Sequence, residues 1–153
     1  MENPSTGGER RRTDIDRLLR NWLAERQQLL SLLCALSPML REDPAPSELR
    51  AKLDRFCEIL VDYVSAGHFE VYCELVEQGE KSGQIHGDAV NELYRRIVPT
   101  TAVALDFNER HAEPRDSATI TRELSQLGQV LASRFDWEDA LIHLLHRADR
   151  AVA

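Results

Sequence analysis

Apolar residues recur at helical spacing along most of this chain, and that periodicity limits the fold more than any other feature. In the first stretch Ile15, Leu18, Leu19, Trp22, Leu29, Leu30, Leu33 and Leu36 fall on one stripe. Thr13 can cap this helix, and Asp16 adds negative charge at the positive end of its dipole. Pro38, Pro44 and Pro46 are expected to break the chain, because proline cannot donate to the helical ladder. Ser47 is a suitable cap for a second helix with Leu49, Leu53, Phe56, Cys57, Leu60 and Val64 on one face. Gly67 can end it in a left-handed conformation, with a sharp turn at Ser65–His68.

A short helix follows, with Phe69, Tyr72, Leu75 and Val76 inward and Gly79 behind it. Asp88 can cap a fourth helix along Val90, Leu93, Tyr94, Ile97, Thr101, Ala104 and Leu105. Pro99 lies off that stripe and predicts a kink rather than an end. After Pro114, Ser117 opens a last helical pattern reaching about Arg150, with Ile120, Leu124, Leu127, Leu131, Phe135, Ile142 and Leu145 in line. The prediction is an all-α fold, an antiparallel helical bundle of about five helices with a short helix after Gly67. Residues 1–12, polar and ending in Arg10-Arg11-Arg12, are expected to form a disordered tail before a single domain over 13–150.

Charge narrows the function classes. The chain of 153 residues carries 26 acids against 19 bases, a formal charge of −7. Such a protein repels nucleic-acid phosphates and suits a basic partner. No apolar run is long enough for a membrane span, and the N-terminus does not read as a secretory signal. The three cysteines Cys34, Cys57 and Cys73 have no CxxC spacing and are expected to be reduced, buried thiols in the cytoplasm.

Catalytic signatures are absent: no Gly-rich phosphate loop, GxSxG or HExxH occurs. Asp139, His143 and His146 have metal-ligand spacing, which keeps a hemerythrin-like metal-binding bundle as the alternative reading. They project onto the polar side of the last helix, however, so a solvated face is expected, with no metal or cofactor. Arg26 and Glu138 do lie on apolar stripes, and lone buried charges are costly. They are expected to meet as a bidentate pair in the core, each worth about 3–5 kcal/mol on removal. On the outer face of the second helix Asp54, Glu58 and Asp62 stack as an acidic ridge, with Arg55 beside it.

The run Phe56-Cys57-Glu58-Ile59-Leu60-Val61-Asp62-Tyr63-Val64-Ser65-Ala66-Gly67-His68-Phe69, with Tyr72 after it, resembles the signature of the Rsd/AlgQ anti-sigma factors. Trp22-Leu23-Ala24-Glu25-Arg26 and Arg134-Phe135 with Glu138-Asp139 are similar too. This chain departs from the family pattern at Arg20-Asn21 and at Cys73, each change removing an acid. The resemblance implies a helical bundle that is not an enzyme. It implies binding to conserved region 4 of the primary sigma factor of RNA polymerase, and lower housekeeping transcription as cells enter stationary phase. A helix-turn-helix in that region is basic, and the acidic ridge is its counterpart. Asp62, Glu58 and Asp54, with Tyr63 and His68, are therefore the expected contacts.

Overall fold

A computed structural model describes residues 4–81, 87–111, 113 and 115–147, and every regular element among them is helical. Helix α1 spans Pro4–Arg41, α2 Pro46–Ala66, α3 Tyr72–Lys81, α4 Gly87–His111 and α5 Ser117–Ile142. A single π turn, Gly67–Val71, joins α2 to α3, and a second, His143–Arg147, follows α5. Pairs of touching residues give the directions. Arg26 meets Tyr63 while a four-residue link joins the far ends of α1 and α2; Phe56 meets Phe107 and Asp54 meets His111; Arg134 meets Thr100 and Glu123 meets Arg110; Arg26 meets Glu138 and Leu33 lies nearest Gly128, so α1, α2, α4 and α5 run antiparallel to their neighbours. The two π turns and α3 close one end of this four-helix core.

Several helix ends differ from the sequence expectation, each for a local reason. Helical backbone begins at Pro4, ahead of Thr13 and across the stretch expected as a tail. Pro38 lies inside α1 rather than ending it. Leu36 and Leu40, both buried, anchor the helix on either side of the proline, whose own side chain faces solvent. The chain leaves α1 instead at Asp43, which takes a left-handed conformation (φ 52°) that Asp tolerates better than most residues. Pro46, not Ser47, sets the start of α2: Ala45 is the cap residue and Pro46 occupies the first turn, where its missing N–H costs nothing. At α5 the cap is Asp116, whose carboxylate accepts from the Thr119 N–H at 2.7 Å.

Gly67 makes no left-handed stop and no sharp turn; its φ is −56° and the chain stays right-handed into the π turn. Its lack of a side chain serves packing. A Cβ built there would lie 2.8 Å from Trp22 Cζ2 and 3.2 Å from the Tyr72 hydroxyl. Gly67→Ala gains about 1 kcal/mol of helix propensity. It should still destabilise the protein by a net 1–2 kcal/mol or so, because overpacking a fixed ring costs more. A urea midpoint at or above wild type would refute this.

In α4 the inward stripe after Pro99 runs through Thr100, Ala104 and Phe107, leaving Tyr94 and Leu105 more than a third exposed. Thr100 is drawn inward by a buried arginine described below. Of the cysteines only Cys57 is buried, and burial pushes its thiol up to about 12. Cys34 and Cys73 are free and exposed, contrary to expectation, because each lies off its helix's apolar stripe.

Candidate partner-binding surface and the polar core behind it

The ridge on α2 forms as its spacing predicts. Asp54, Glu58 and Asp62 all face solvent, since the opposite face of α2 is filled by Leu53, Phe56, Cys57, Leu60 and Val64. Its charge is unevenly relieved. Asp54 is held by His111 Nε2 at 2.6 Å and Arg50 Nε at 3.4 Å, and these contacts, His111 first, hold its carboxyl below the usual range. Arg55 reaches Glu58 at 3.2 Å. Among the described residues no cation pairs with Asp62. An open groove lies between the ridge and the end of α4, lined by Val61 and Asp62 on one side and Asn108 and His111 on the other.

Tyr63 is not part of that surface. It is fully buried, stacked on Trp22 at 4.9 Å between ring centres, and its hydroxyl points into the core. The correction has a simple cause: Tyr63 is one residue round from Asp62, on the side where α1 and α5 pack. The side chain of His68 lies outside the described residues.

Behind the ridge a polar cluster fills the centre of the bundle. Glu138 has no exposed side-chain surface. Its Oε1 accepts from the Tyr63 hydroxyl at 2.6 Å and from Arg26 Nη2 at 3.4 Å. Its Oε2 accepts from Arg134 Nε at 3.2 Å and from the Tyr72 hydroxyl. A carboxylate offers about four lone-pair sites, and four donors meet them. Arg134, equally buried, uses all five of its N–H donors. Besides Glu138 it reaches Thr100 Oγ1 at 3.1 Å, Thr101 Oγ1 at 2.7 Å, the Val64 carbonyl at 3.4 Å and the Tyr72 hydroxyl at 3.0 Å. Burial, and then the charge of Glu138, raise the pKa of both Tyr63 and Tyr72, so both phenols remain neutral donors.

The geometry thus places Arg26 within ion-pair distance of Glu138, but not as a bidentate pair. Arg26 sits at the rim, with 12% of its side chain exposed. Its shortest ionic contact is to the exposed Asp139 at 2.7 Å, and its Nε donates to the Tyr63 hydroxyl at 2.9 Å. The closer counter-ion of Glu138 is Arg134, which periodicity alone could have found: it is four residues before Glu138 and three after Leu131, on the same stripe. As for the metal alternative, Asp139 is occupied by Arg26, His143 is exposed, and the side chain of His146 lies outside the described residues. Among the described residues no three His, Cys, Asp or Glu side chains come together as a metal site. No helix among them is long and apolar enough to cross a membrane.

Fold and surface together define an acidic helical bundle with a closed polar core. The chain belongs to the family described as the regulator of RNA polymerase sigma(70) subunit, Rsd/AlgQ, whose model matches residues 3–146. It is similar to the "Regulator of sigma D" of Sodalis glossinidius, 37% identical over 129 residues that cover 82% of this chain and 85% of that protein. The protein of the same name from Yersinia enterocolitica is 31% identical over 130 residues, covering 82% of this chain and 78% of its own. That from Shigella dysenteriae is 31% identical over 140 residues, covering 88% and 87%. No solved structure matches the chain.

Proposed function

We propose that this protein is a cytoplasmic anti-sigma factor that binds conserved region 4 of the primary sigma factor of RNA polymerase. By occupying that region it blocks engagement of the −35 promoter element and the core enzyme, and so lowers housekeeping transcription. It acts stoichiometrically, with no cofactor and no chemical step. Membership of the regulator family supports the partner class. The observation that carries the choice of surface is the exposed acidic ridge, with Asp62 the member that no described cation neutralises.

A basic helix-turn-helix is built to meet phosphates, and a row of carboxylates on a rigid helix offers it a substitute. Asp54 is partly satisfied by His111 and Arg50, so Asp62 and Glu58 are the leading contacts, with His68 as a further proposed one. Exposed charges attract over a screening length of about 8 Å at physiological ionic strength, so association should slow as salt is raised. Asp62→Ala is expected to weaken binding to isolated region 4 about tenfold, equivalent to about 1.4 kcal/mol, and to flatten the salt dependence. Its thermal unfolding should match wild type, since an exposed substitution away from a packed feature changes stability by roughly 0.5 kcal/mol or less. An unchanged affinity and salt response would reduce the ridge to a solvated face.

A further inference from the structure

Among the described residues four large apolar side chains are exposed, and all of them belong to α4: Tyr94, Val98, Val103 and Leu105. Single exposed apolar residues are ordinary on a protein surface, but these are not scattered. Tyr94, Val98 and Leu105 are spaced i, i+4, i+11 and share one stripe, with Val103 round the other side. Half-buried Thr101 and Asn108 continue the same line, in steps of 4 and 3 residues. That is the spacing of a seam against which another helix packs. The core seam of α4, through Ile97, Thr100, Ala104 and Phe107, is a different one, turned by about 100°.

The outer seam flanks the acidic ridge. Asn108 lines the open groove beside α2 together with Val61 and Asp62. The two helices are antiparallel and held level at two heights, by Asp54 on His111 at 2.6 Å and by Arg134, which reaches both the Val64 carbonyl and Thr101. Leu105 therefore stands near the height of Val61, and Val98 near that of Ser65. On α2 the same alternation of steps runs through Asp54, Glu58, Val61 and Ser65, the last two half-buried. The groove thus has two unlike walls, carboxylates on α2 and apolar side chains on α4. From Tyr94 to Leu105 the apolar wall is about 16 Å long, three turns of helix. Tyr94 is also steadied from behind, its ring meeting Tyr72 edge-on at 6.2 Å.

We propose that this groove seats a helix of about three turns, basic along one flank and apolar along the other, and that region 4 of the sigma factor supplies it. The proposal rests on reading the ridge as the sigma-binding surface, and it adds Tyr94, Val98 and Leu105 of α4 to that surface. Charge complementarity selects the occupant, since Lys or Arg at helical spacing would meet Glu58 and Asp62 while the apolar flank covers α4. A second copy of this chain is the poorer fit: each copy carries a charge of −7, and two-fold packing through the groove would set ridge against ridge. The two walls also act differently. Attraction to the carboxylates is screened by salt, whereas burial of the apolar wall does not depend on charge.

That difference makes the apolar wall separately testable. Val98→Thr combined with Leu105→Gln alters only exposed side chains, so thermal unfolding should match wild type. Affinity for isolated region 4 should fall about tenfold, chiefly through faster dissociation, with the salt dependence kept. Leu105→Met, which keeps an apolar side chain, should bind as wild type does. If wild type binds region 4 and the double variant binds it equally well, the proposal is overturned and the ridge reading stands. Wild type that does not bind region 4 overturns the sigma reading, and this occupant with it. NMR of the labelled full chain maps the seat: region 4 should shift amides on both walls, over Asp54–Ser65 and Tyr94–Asn108. Shifts confined to α2 overturn the proposal. Sedimentation of the protein alone tests the other occupant, because a dimer that the double variant dissolves would assign the groove to a second copy and overturn it too.

Discussion

Replacing Glu138 by alanine is expected to destabilise the bundle by about 3–5 kcal/mol, because it leaves an uncompensated charge in the core. The stranded group is Arg134, whose side chain has no exposed surface and whose Nε loses its acceptor. The Tyr63 and Tyr72 hydroxyls lose theirs as well. For a protein of this size that loss corresponds to a fall in Tm of roughly 10 °C or more. Glu138→Leu combined with Arg134→Met should recover part of it, since apolar replacement of both partners of a buried pair is often close to neutral. Thermal unfolding followed by circular dichroism decides; a Glu138→Ala variant melting with wild type would show that the cluster contributes nothing. Arg26→Ala should cost less, about 1.5–3 kcal/mol. The structure thus predicts a smaller penalty than the equal one expected from the sequence, because Arg26 is at the rim and Glu138 keeps Arg134.

Trp22→Ala should be comparably severe, again about 3–5 kcal/mol, the usual range for deleting a buried large aromatic side chain. Trp22 is 2% exposed, stacks flat on Tyr63, meets Tyr72 edge-on at 6.0 Å and donates to the Tyr63 carbonyl. It also occupies the space that Gly67 leaves open. The two positions should therefore couple. In the Trp22→Ala background the added methyl of Gly67→Ala meets no ring, and its penalty should vanish or change sign. Urea titration of the four proteins gives the cycle. Equal costs for Gly67→Ala in both backgrounds would mean that the ring does not set the need for glycine there.

Much of this was legible in the sequence, because periodicity reports which side of a helix is buried. The α2 stripe and the α5 stripe stand as the spacing predicts, and so does the exposure of Asp54, Glu58 and Asp62. What periodicity does not report is the identity of partners across the bundle. It flagged Arg26 and Glu138 as charges out of place, and the same spacing carries Arg134 on the Glu138 stripe, but which arginine lies nearer Glu138 is set by side-chain packing that spacing does not report. Nor could it place Tyr63, which as an amphipathic residue beside an exposed aspartate fits a surface contact as readily as a core donor. Pro38 and Gly67 misled for another reason: local propensity names them as helix ends, and tertiary anchors at Leu36, Leu40 and Trp22 override it.

The order in which the polar core can assemble follows from where its members lie along the chain. Glu138 accepts from residues 66, 75 and 112 positions earlier, at Tyr72, Tyr63 and Arg26. As the protein is synthesised, α1 to α4 emerge carrying these donors before their acceptor exists. Until α5 arrives the nascent helices can collapse on their apolar stripes, and Arg26 can already meet the Tyr63 hydroxyl, but the carboxylate to which Tyr63, Tyr72 and Arg26 all donate is still missing. The last long helix therefore acts as the keystone of the bundle: the carboxylate it carries turns a loose helical assembly into one fixed arrangement.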